Sequence, residues 1–313
     1  MNTSTLSNAG VNGSSEAALG WFLLIVSLVV VAVIIVLVLA AALRRRPIEH
    51  DGVETPGEMR WITIGGIVVP VIILTVSFLL TIGTINAVGA PPGGASYAAL
   101  IDVTGHQWWW EVTYHDSLPQ DQFTTANEIH IPVGEPVRFS LATGDVIHSF
   151  WVPALAGKVD LIPGEHNTLW LEAKKPGVYM GPCGEYCGTQ HANMRVTVVA
   201  ESPDAYHSWL QQQRRPAPAP AEAMSTGFAT FAKAGCGTCH TIRGTSAGGG
   251  VGPDLTHIAS RRMLAAGAIE NTEGGLAGWI TGAQGIKPGS DMPNMAVAPR
   301  DLAPLIAYLR SLQ

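Results

Sequence analysis

The sequence predicts a multidomain membrane protein: a two-helix transmembrane hairpin, a β-rich domain outside the membrane, then an all-α domain. Three observations lead there. Two long uncharged apolar runs, Gly20 to Leu43 and Trp61 to Val88, stand near the N-terminus. Between Tyr97 and Ala200, short alternating apolar runs are separated by Gly, Pro, Asn and Asp. Beyond a Pro/Ala stretch, the residues from 225 onward read as helices joined by Gly-rich loops. Composition agrees. Charged residues make up 13% of 313 and hydrophobic ones 47%, which excludes a disordered chain and argues against a wholly soluble one. Eighteen Lys and Arg against 24 Asp and Glu give a net charge of −6, so bulk charge does not draw this chain to nucleic acid.

A helix of about 20 apolar residues crosses a bilayer core, and each run exceeds that. The first is no signal peptide by pattern, since no Lys or Arg precedes Trp21 and the run is too long for an h-region. The second contains Pro70 and Gly65-Gly66, which membrane helices tolerate where neighbouring groups satisfy the backbone. Arg44, Arg45, Arg46 and Arg60 lie between the runs, the N-terminal segment has no basic residue, and the next one after Val88 is Arg138. The positive-inside rule therefore puts the connecting loop in the cytoplasm, with the N-terminus and everything after Val88 outside. The expected boundaries are 1–89 for the N-terminal segment and hairpin (spans about 20–43 and 61–88), 90–202 for the β domain, 203–224 for a linker, and 225–313 for the helical domain.

Strand candidates include Ile129-His-Ile-Pro-Val133, Val137-Arg-Phe-Ser-Leu141, Thr168-Leu-Trp-Leu171 and Val196-Thr-Val-Val199. Such short strands between turn residues suggest a sandwich or barrel. Arg214-Arg-Pro-Ala-Pro-Ala-Pro-Ala221 reads as an extended tether. The chain ends in the amphipathic run Leu302 to Leu312.

Chemistry concentrates in Cys183-Gly-Glu-Tyr-Cys187-Gly-Thr-Gln-His191-Ala-Asn-Met194, with His148 upstream in Asp145-Val-Ile-His-Ser-Phe150. Thiolate, imidazole and thioether form a soft donor set suited to copper. A mononuclear blue-copper centre uses one thiolate, and here there are two. Two thiolates bridging two copper ions use both cysteines, with one histidine for each ion. Met194 and a backbone carbonyl are left as weak outer ligands. A Cys183–Cys187 disulfide suits an oxidising compartment but leaves His191 and Met194 unexplained. A tetrahedral zinc site leaves out Met194.

The pattern C-x-E-x-C-x3-H-x2-M, the Asp-Val-Ile-His-Ser-Phe segment, Lys158-Val-Asp160-Leu-Ile-Pro-Gly164 and the preceding hairpin closely resemble subunit II of heme–copper cytochrome c oxidases. The resemblance runs over roughly residues 18 to 200. It implies a cupredoxin-like Greek-key β-barrel carrying the binuclear CuA centre. His148, Cys183, Cys187, His191 and Met194 are then copper ligands, and Glu185 offers its backbone carbonyl. It further implies that the Glu185 carboxylate reaches a magnesium ion at the interface with subunit I, near Lys158 and Asp160. Trp108, in Gly105-His-Gln-Trp-Trp-Trp110, matches the residue where electrons arrive, and Glu58 matches a carboxylate at the mouth of a proton channel into subunit I. The family's Arg after Ile-Pro-Gly is replaced by Glu165, which puts that Arg's contacts in doubt.

Cys236-Gly-Thr-Cys239-His240 is the attachment motif of a covalent heme c. Both thiols add to the vinyl groups and His240 ligates iron. Ile286-Lys-Pro-Gly-Ser-Asp-Met292-Pro293 resembles the axial-methionine loop of class I cytochromes c, with Met295 as the rival ligand. Methionine opposite histidine raises the heme potential. Gly252-Pro253 resembles the segment whose carbonyl orients the proximal histidine, and Trp279 is placed near a propionate or in the core. His50, His106, His115, His130, His166, His207 and His257 read as ordinary histidines.

Residues 89–202 carry five basic and twelve acidic residues, and residues 203–313 nine and seven. A mildly cationic heme domain tethered to an anionic copper domain can dock on it. The expected function is therefore subunit II of a respiratory cytochrome c oxidase with a fused cytochrome c domain. Electrons pass from heme c to CuA and on to subunit I, where dioxygen is reduced with proton pumping. Neither span contains histidine, so that chemistry lies on subunit I. Expected partners are subunits I and III and an external donor, a cytochrome c or a quinol–cytochrome c reductase complex. The expected location is the bacterial inner membrane, multi-pass, with both soluble domains on the periplasmic side. The same relay serving a nitric oxide reductase, and a copper-delivery or redox-sensing protein, are the competing readings.

Overall fold

A computed structural model of the chain describes residues 3–7, 9–44, 56–91, 94, 96–116, 118 and 121–313. Helix α1 spans Val11–Leu43. Helix α2, Pro56–Thr63, runs through a π-helical turn, Ile64–Val68, into α3, Val69–Gly89. The π turn has a local cause. Pro70 lacks an N–H and its ring crowds the carbonyl one turn back, and a wider i→i+5 turn relieves that crowding. Val11–Leu43 and Met59–Gly89 are both long and apolar enough to cross a membrane. Residues 45–55 of the expected cytoplasmic loop, Arg45 and Arg46 among them, and the Glu58 side chain lie outside the described residues.

Two compact units divide the chain. One is Ser14–Gly94; the other joins Met1–Gly13 to Ala95–Gln313. In the second unit the β-rich half contains β1 (Ala99–His106), β2 (Trp109–His115), β3 (Phe123–Ala126), β4 (Glu128–Pro132), β5 (Val137–Thr143), β6 (His148–Phe150), β7 (Val159–Leu161), β8 (Asn167–Leu171), β9 (Gly177–Pro182) and β10 (Arg195–Glu201). They form a five-stranded sheet ordered β3-β2-β1-β5-β8, a three-stranded sheet β4-β10-β9, and a β6-β7 ribbon. Strands β1 and β5 run parallel, with Val103 beside Leu141, whereas β1 and β2 are antiparallel, with Val103 opposite Val112. Alternation explains the fold: Ile101, Val103, Trp110, Val112, Phe139 and Leu141 turn inward and are buried. Each such side chain contributes roughly 1.5–3 kcal/mol on full burial.

The expected linker 203–224 is not extended throughout. Residues Pro203–Arg214 form helix α4, with the Ser202 hydroxyl accepting from Ala205 N and Pro203 at the first turn. Those are strong start signals. Its Trp209 packs on Tyr114, Phe123 and His130 of the β half, so apolar burial holds the helix down. The Pro/Ala run is also tied, since Ala217 N donates to Arg243 O at 2.8 Å.

The C-terminal half has α5 (Ser225–Lys233), a two-residue ladder of β11 (Met263–Leu264) and β12 (Ile269–Glu270), α6 (Glu273–Ile286) and α7 (Pro299–Arg310). The short ladder is the departure from an all-α expectation. Phe228 and Phe231 of α5 meet Tyr308 of α7 edge-on and close a second apolar core.

Candidate functional site

Antiparallel pairing of β9 with β10 builds the first site. Pro182 stands opposite Arg195, and Cys183 N donates to Met194 O at 2.8 Å. The chain between must turn back on itself, which gathers Cys183, Cys187, His191 and Met194. Gly184 N donates to Ser149 O at 2.9 Å, bringing the start of β6, and so His148, to the same place.

The distances fall into two sets. His148 Nδ1 lies 4.0 Å from Cys183 Sγ, and ligand atoms of His148, Cys183 and Cys187 all lie within 4.8 Å of one another. Cys187 Sγ lies 3.7 Å from His191 Nδ1 and 3.8 Å from Met194 Sδ. The Glu185 carbonyl oxygen is 3.3 Å from Cys183 Sγ. Two donors roughly 2.0–2.3 Å from one ion in a tetrahedral site stand about 3.3–3.8 Å apart. The 3.7 and 3.8 Å separations fall in that range and the 4.0 Å one just beyond it, and the soft donors suit copper. Cys187 belongs to both sets.

Electrostatics prepare the sulfurs. The hydrogen bond from Cys187 leads, with His148 and backbone contributions, in holding Cys183 at a pKa of about 3 against burial. Its hydrogen bond and charge, with burial, push Cys187 up. Ligation by thiolates releases whatever proton the pair still carries. His148 Nε2 donates to Asp145 Oδ1 at 2.8 Å, which fixes the tautomer that turns Nδ1 toward the sulfurs. Burial opposes ionisation of Asp145, but hydrogen bonds from His148, Val146, Gln107 and Thr143 outweigh it and hold the carboxyl below its ordinary value. Gly105 of β1 is required beside this ring, because a Cβ there would meet His148 Cδ2 at 2.8 Å.

The second site is a cavity of about 380 Å³ lined by Cys236, Cys239, His240, Met292, Met295 and Trp279. His240 Nδ1 donates to Pro253 O at 2.7 Å, leaving Nε2 for a ligand. Burial lowers the His240 pKa and keeps the ring neutral. Gly252 leaves room for the ring, since a Cβ there would stand 2.7 Å from His240 Cε1. Met295 N is tied to Ile280 O at 2.9 Å and its side chain packs against the apolar core. One histidine nitrogen, two thiols and a thioether around an apolar chamber fit a heme.

Trp108 connects the sites. Its indole N–H donates to Cys187 O at 2.8 Å, as does Gln107 Nε2, and Trp108 is also among the residues lining the cavity of Cys236 and His240. Trp110 meets His148 and Phe150 edge-on, and Trp109 stacks on His106. Lys158 Nζ pairs with Asp160 at 3.1 Å and Glu185 at 3.6 Å.

Sequence reasoning missed Asp145 as the partner of His148, although the D-x-x-H spacing signals it. It also missed Lys287, which is 2% exposed and whose Nζ donates to the carbonyls of Trp108 (2.6 Å), Asn193 (2.8 Å) and Ala265 (3.0 Å). Burial pushes its pKa down to about 7, with Cys187 opposing. A lone Lys among Ile, Pro and Gly was the available signal.

A family model described as cytochrome c oxidase subunit II, periplasmic domain, matches residues 118–201, and one described as cytochrome c matches residues 224–313. The chain is 39% identical over 251 residues to the cytochrome c oxidase subunit 2 of Alkalihalophilus pseudofirmus, covering 79% of this chain and 71% of that protein. It is 31% identical over 228 residues to that of a Bacillus species, covering 68% and 62%. Among solved structures, the periplasmic domain of subunit II of the Bradyrhizobium japonicum cytochrome oxidase aligns at 30% identity, over 38% of this chain and 96% of that one, with a TM-score of 0.35.

Proposed function

Because the chain belongs to the cytochrome c oxidase subunit II family and carries a cytochrome c domain, we propose that it relays electrons from a covalent heme c to a binuclear CuA pair and on to subunit I, where dioxygen is reduced to water with proton pumping. The heme and copper pair, when bound, supply one-electron redox chemistry that no side chain here provides.

The chain's own residues hold and orient these groups. Cys236 and Cys239 would form the thioether bonds, His240, oriented by Pro253, would ligate iron, and Met292, which lines the same cavity, would supply the thioether. Met292 is preferred to Met295 because the latter is engaged in the core. His148, Cys183, Cys187, His191, Met194 and the Glu185 carbonyl hold copper, and burial of both cysteines excludes water from it. The observation that carries the reading is Trp108, whose indole bonds the backbone carbonyl of Cys187 while the residue lines the cavity of Cys236 and His240.

The two apolar helices are read as spans of the bacterial inner membrane, with the N-terminus and both redox domains on the periplasmic side. Glu58 is assigned to the mouth of a proton channel into subunit I. A magnesium contact at Glu185 needs completion by that subunit. Subunit III and an external cytochrome c or reductase complex complete the set of partners.

Copper and iron analysis of the intact metallated protein tests the reading. Two copper atoms and one iron per chain are expected, with an unpaired electron spread over both copper nuclei in the paramagnetic spectrum. One copper, or a signal confined to one nucleus, would overturn it.

A further inference from the structure

Lys287 lies in the heme-side loop that leads to Met292, yet two of its three hydrogen bonds cross to the copper side. The Trp108 carbonyl belongs to the residue whose indole holds Cys187, and the Asn193 carbonyl immediately precedes Met194. The third acceptor, Ala265, lies in the turn between β11 and β12. In its protonated form the Lys287 amine has three N–H donors and no acceptor, so three carbonyls satisfy it completely. That matters because an unpaired buried charge is strongly unfavourable. Next to it, Gln190 Nε2, from the copper loop, donates to Pro288 O at 2.9 Å. A Cβ on Gly289 would lie 3.7 Å from the Trp108 ring.

We propose that Lys287 is a positioning residue for the electron step between the two sites, pinning the Met292 loop onto the Trp108 and Asn193 carbonyls; the proposal rests on the relay reading above. The pin differs from charge-steered docking of a mobile domain. Surface attraction between an anionic and a cationic domain weakens as salt rises, whereas a buried ion–dipole contact is screened far less. Heme-to-copper transfer in the parent protein is therefore insensitive to ionic strength. Without the ammonium, three buried carbonyls lose a donor and the loop separates from Trp108. Misplacement by an ångström is enough to cost a large factor in a step that depends on geometry.

The test is flash photoreduction of the heme in the full-length metallated protein, following copper absorbance at low and high salt. Lys287→Met is expected to slow transfer by about tenfold or more and make it salt-dependent, with metal content and both optical spectra unchanged. Lys287→Arg, which keeps charge and donors, is expected to restore most of the rate. Gln190→Leu loosens the same loop without removing a buried charge and is expected to slow transfer less. A parental rate in Lys287→Met overturns the proposal. So does loss of copper or heme in that variant together with a parental rate in Gln190→Leu. Absence of any heme-to-copper transfer in the parent overturns the relay reading instead, and this proposal with it.

Discussion

The imidazole of His148 is held by two residues that are not themselves ligands: Gly105 lets the ring lie against β1, and Asp145 accepts a hydrogen bond from Nε2. Removing the carboxylate frees the ring to rotate and lowers its basicity as a ligand. Asp145→Ala is therefore expected to weaken copper binding by roughly 10–100-fold, the usual effect of losing such a partner. Titration of the metal-free protein with copper measures it; unchanged affinity would show that Gly105 and the strand alone fix the ring. At this scale, what could be read from sequence depended on how local the contacts are. Cys183, Cys187, His191 and Met194 share one turn, so their spacing alone announces a donor cluster. Lys287 was opaque because its partners Trp108 and Asn193 are far away in sequence, and a single lysine in a loop resembles a solvated charge.

Helix α4 shows how an element can be misread from composition. Residues 203–224 read as a linker, with only Arg214–Ala221 as an extended tether, although Ser202-Pro203 signals a helix start and Tyr206 and Trp209 lie three residues apart on one face. What fixes the helix is a buried pair on β4 and β10. His130 stacks on Trp209, with ring centroids 4.1 Å apart, and bonds Glu201 at 2.8 Å and Glu128 at 3.1 Å. Burial disfavours the imidazolium, but the hydrogen bonds and charges of Glu128 and Glu201 outweigh it and raise the His130 pKa above 6.5. Linkage then fixes the sign. The folded state binds the proton more tightly than the unfolded one, so the stabilisation is full below about pH 6.5 and is lost as pH rises through the raised value. Thermal unfolding of the parent and of His130→Gln, compared across pH, isolates this contribution. The parent's melting temperature is expected to fall relative to the variant's as pH rises, and parallel profiles would remove His130 from the account.

Across the whole molecule, the heme half is seated on the copper half rather than loosely tethered. Arg262 N donates to Glu128 at 2.9 Å, Arg195 N to Ala266 O at 2.9 Å, and Arg261 to Thr125 at 3.2 Å, beside the Lys287 pin. Trp108 is 8% exposed as a result. The electrostatic asymmetry visible in sequence suggested an encounter between domains; the seat itself depends on contacts between residues far apart in the chain and was not readable. Deleting residues 216–313 separates the consequences. All five proposed copper side-chain donors lie between His148 and Met194, so copper is expected to remain at two atoms per chain while heme is lost. Stability is expected to drop, because the truncated surface loses its cover, and each kcal/mol lost lowers the melting temperature by roughly 4–8 °C in a domain of this size. Trp108 becomes accessible, so a free reduced cytochrome c is expected to reduce copper in the truncated protein faster than in a full-length Cys236→Ser, Cys239→Ser chain that retains the covering fold. Equal rates in these two proteins would mean that the heme half leaves Trp108 open, and that an external donor reaches the copper site without passing through the chain's own heme.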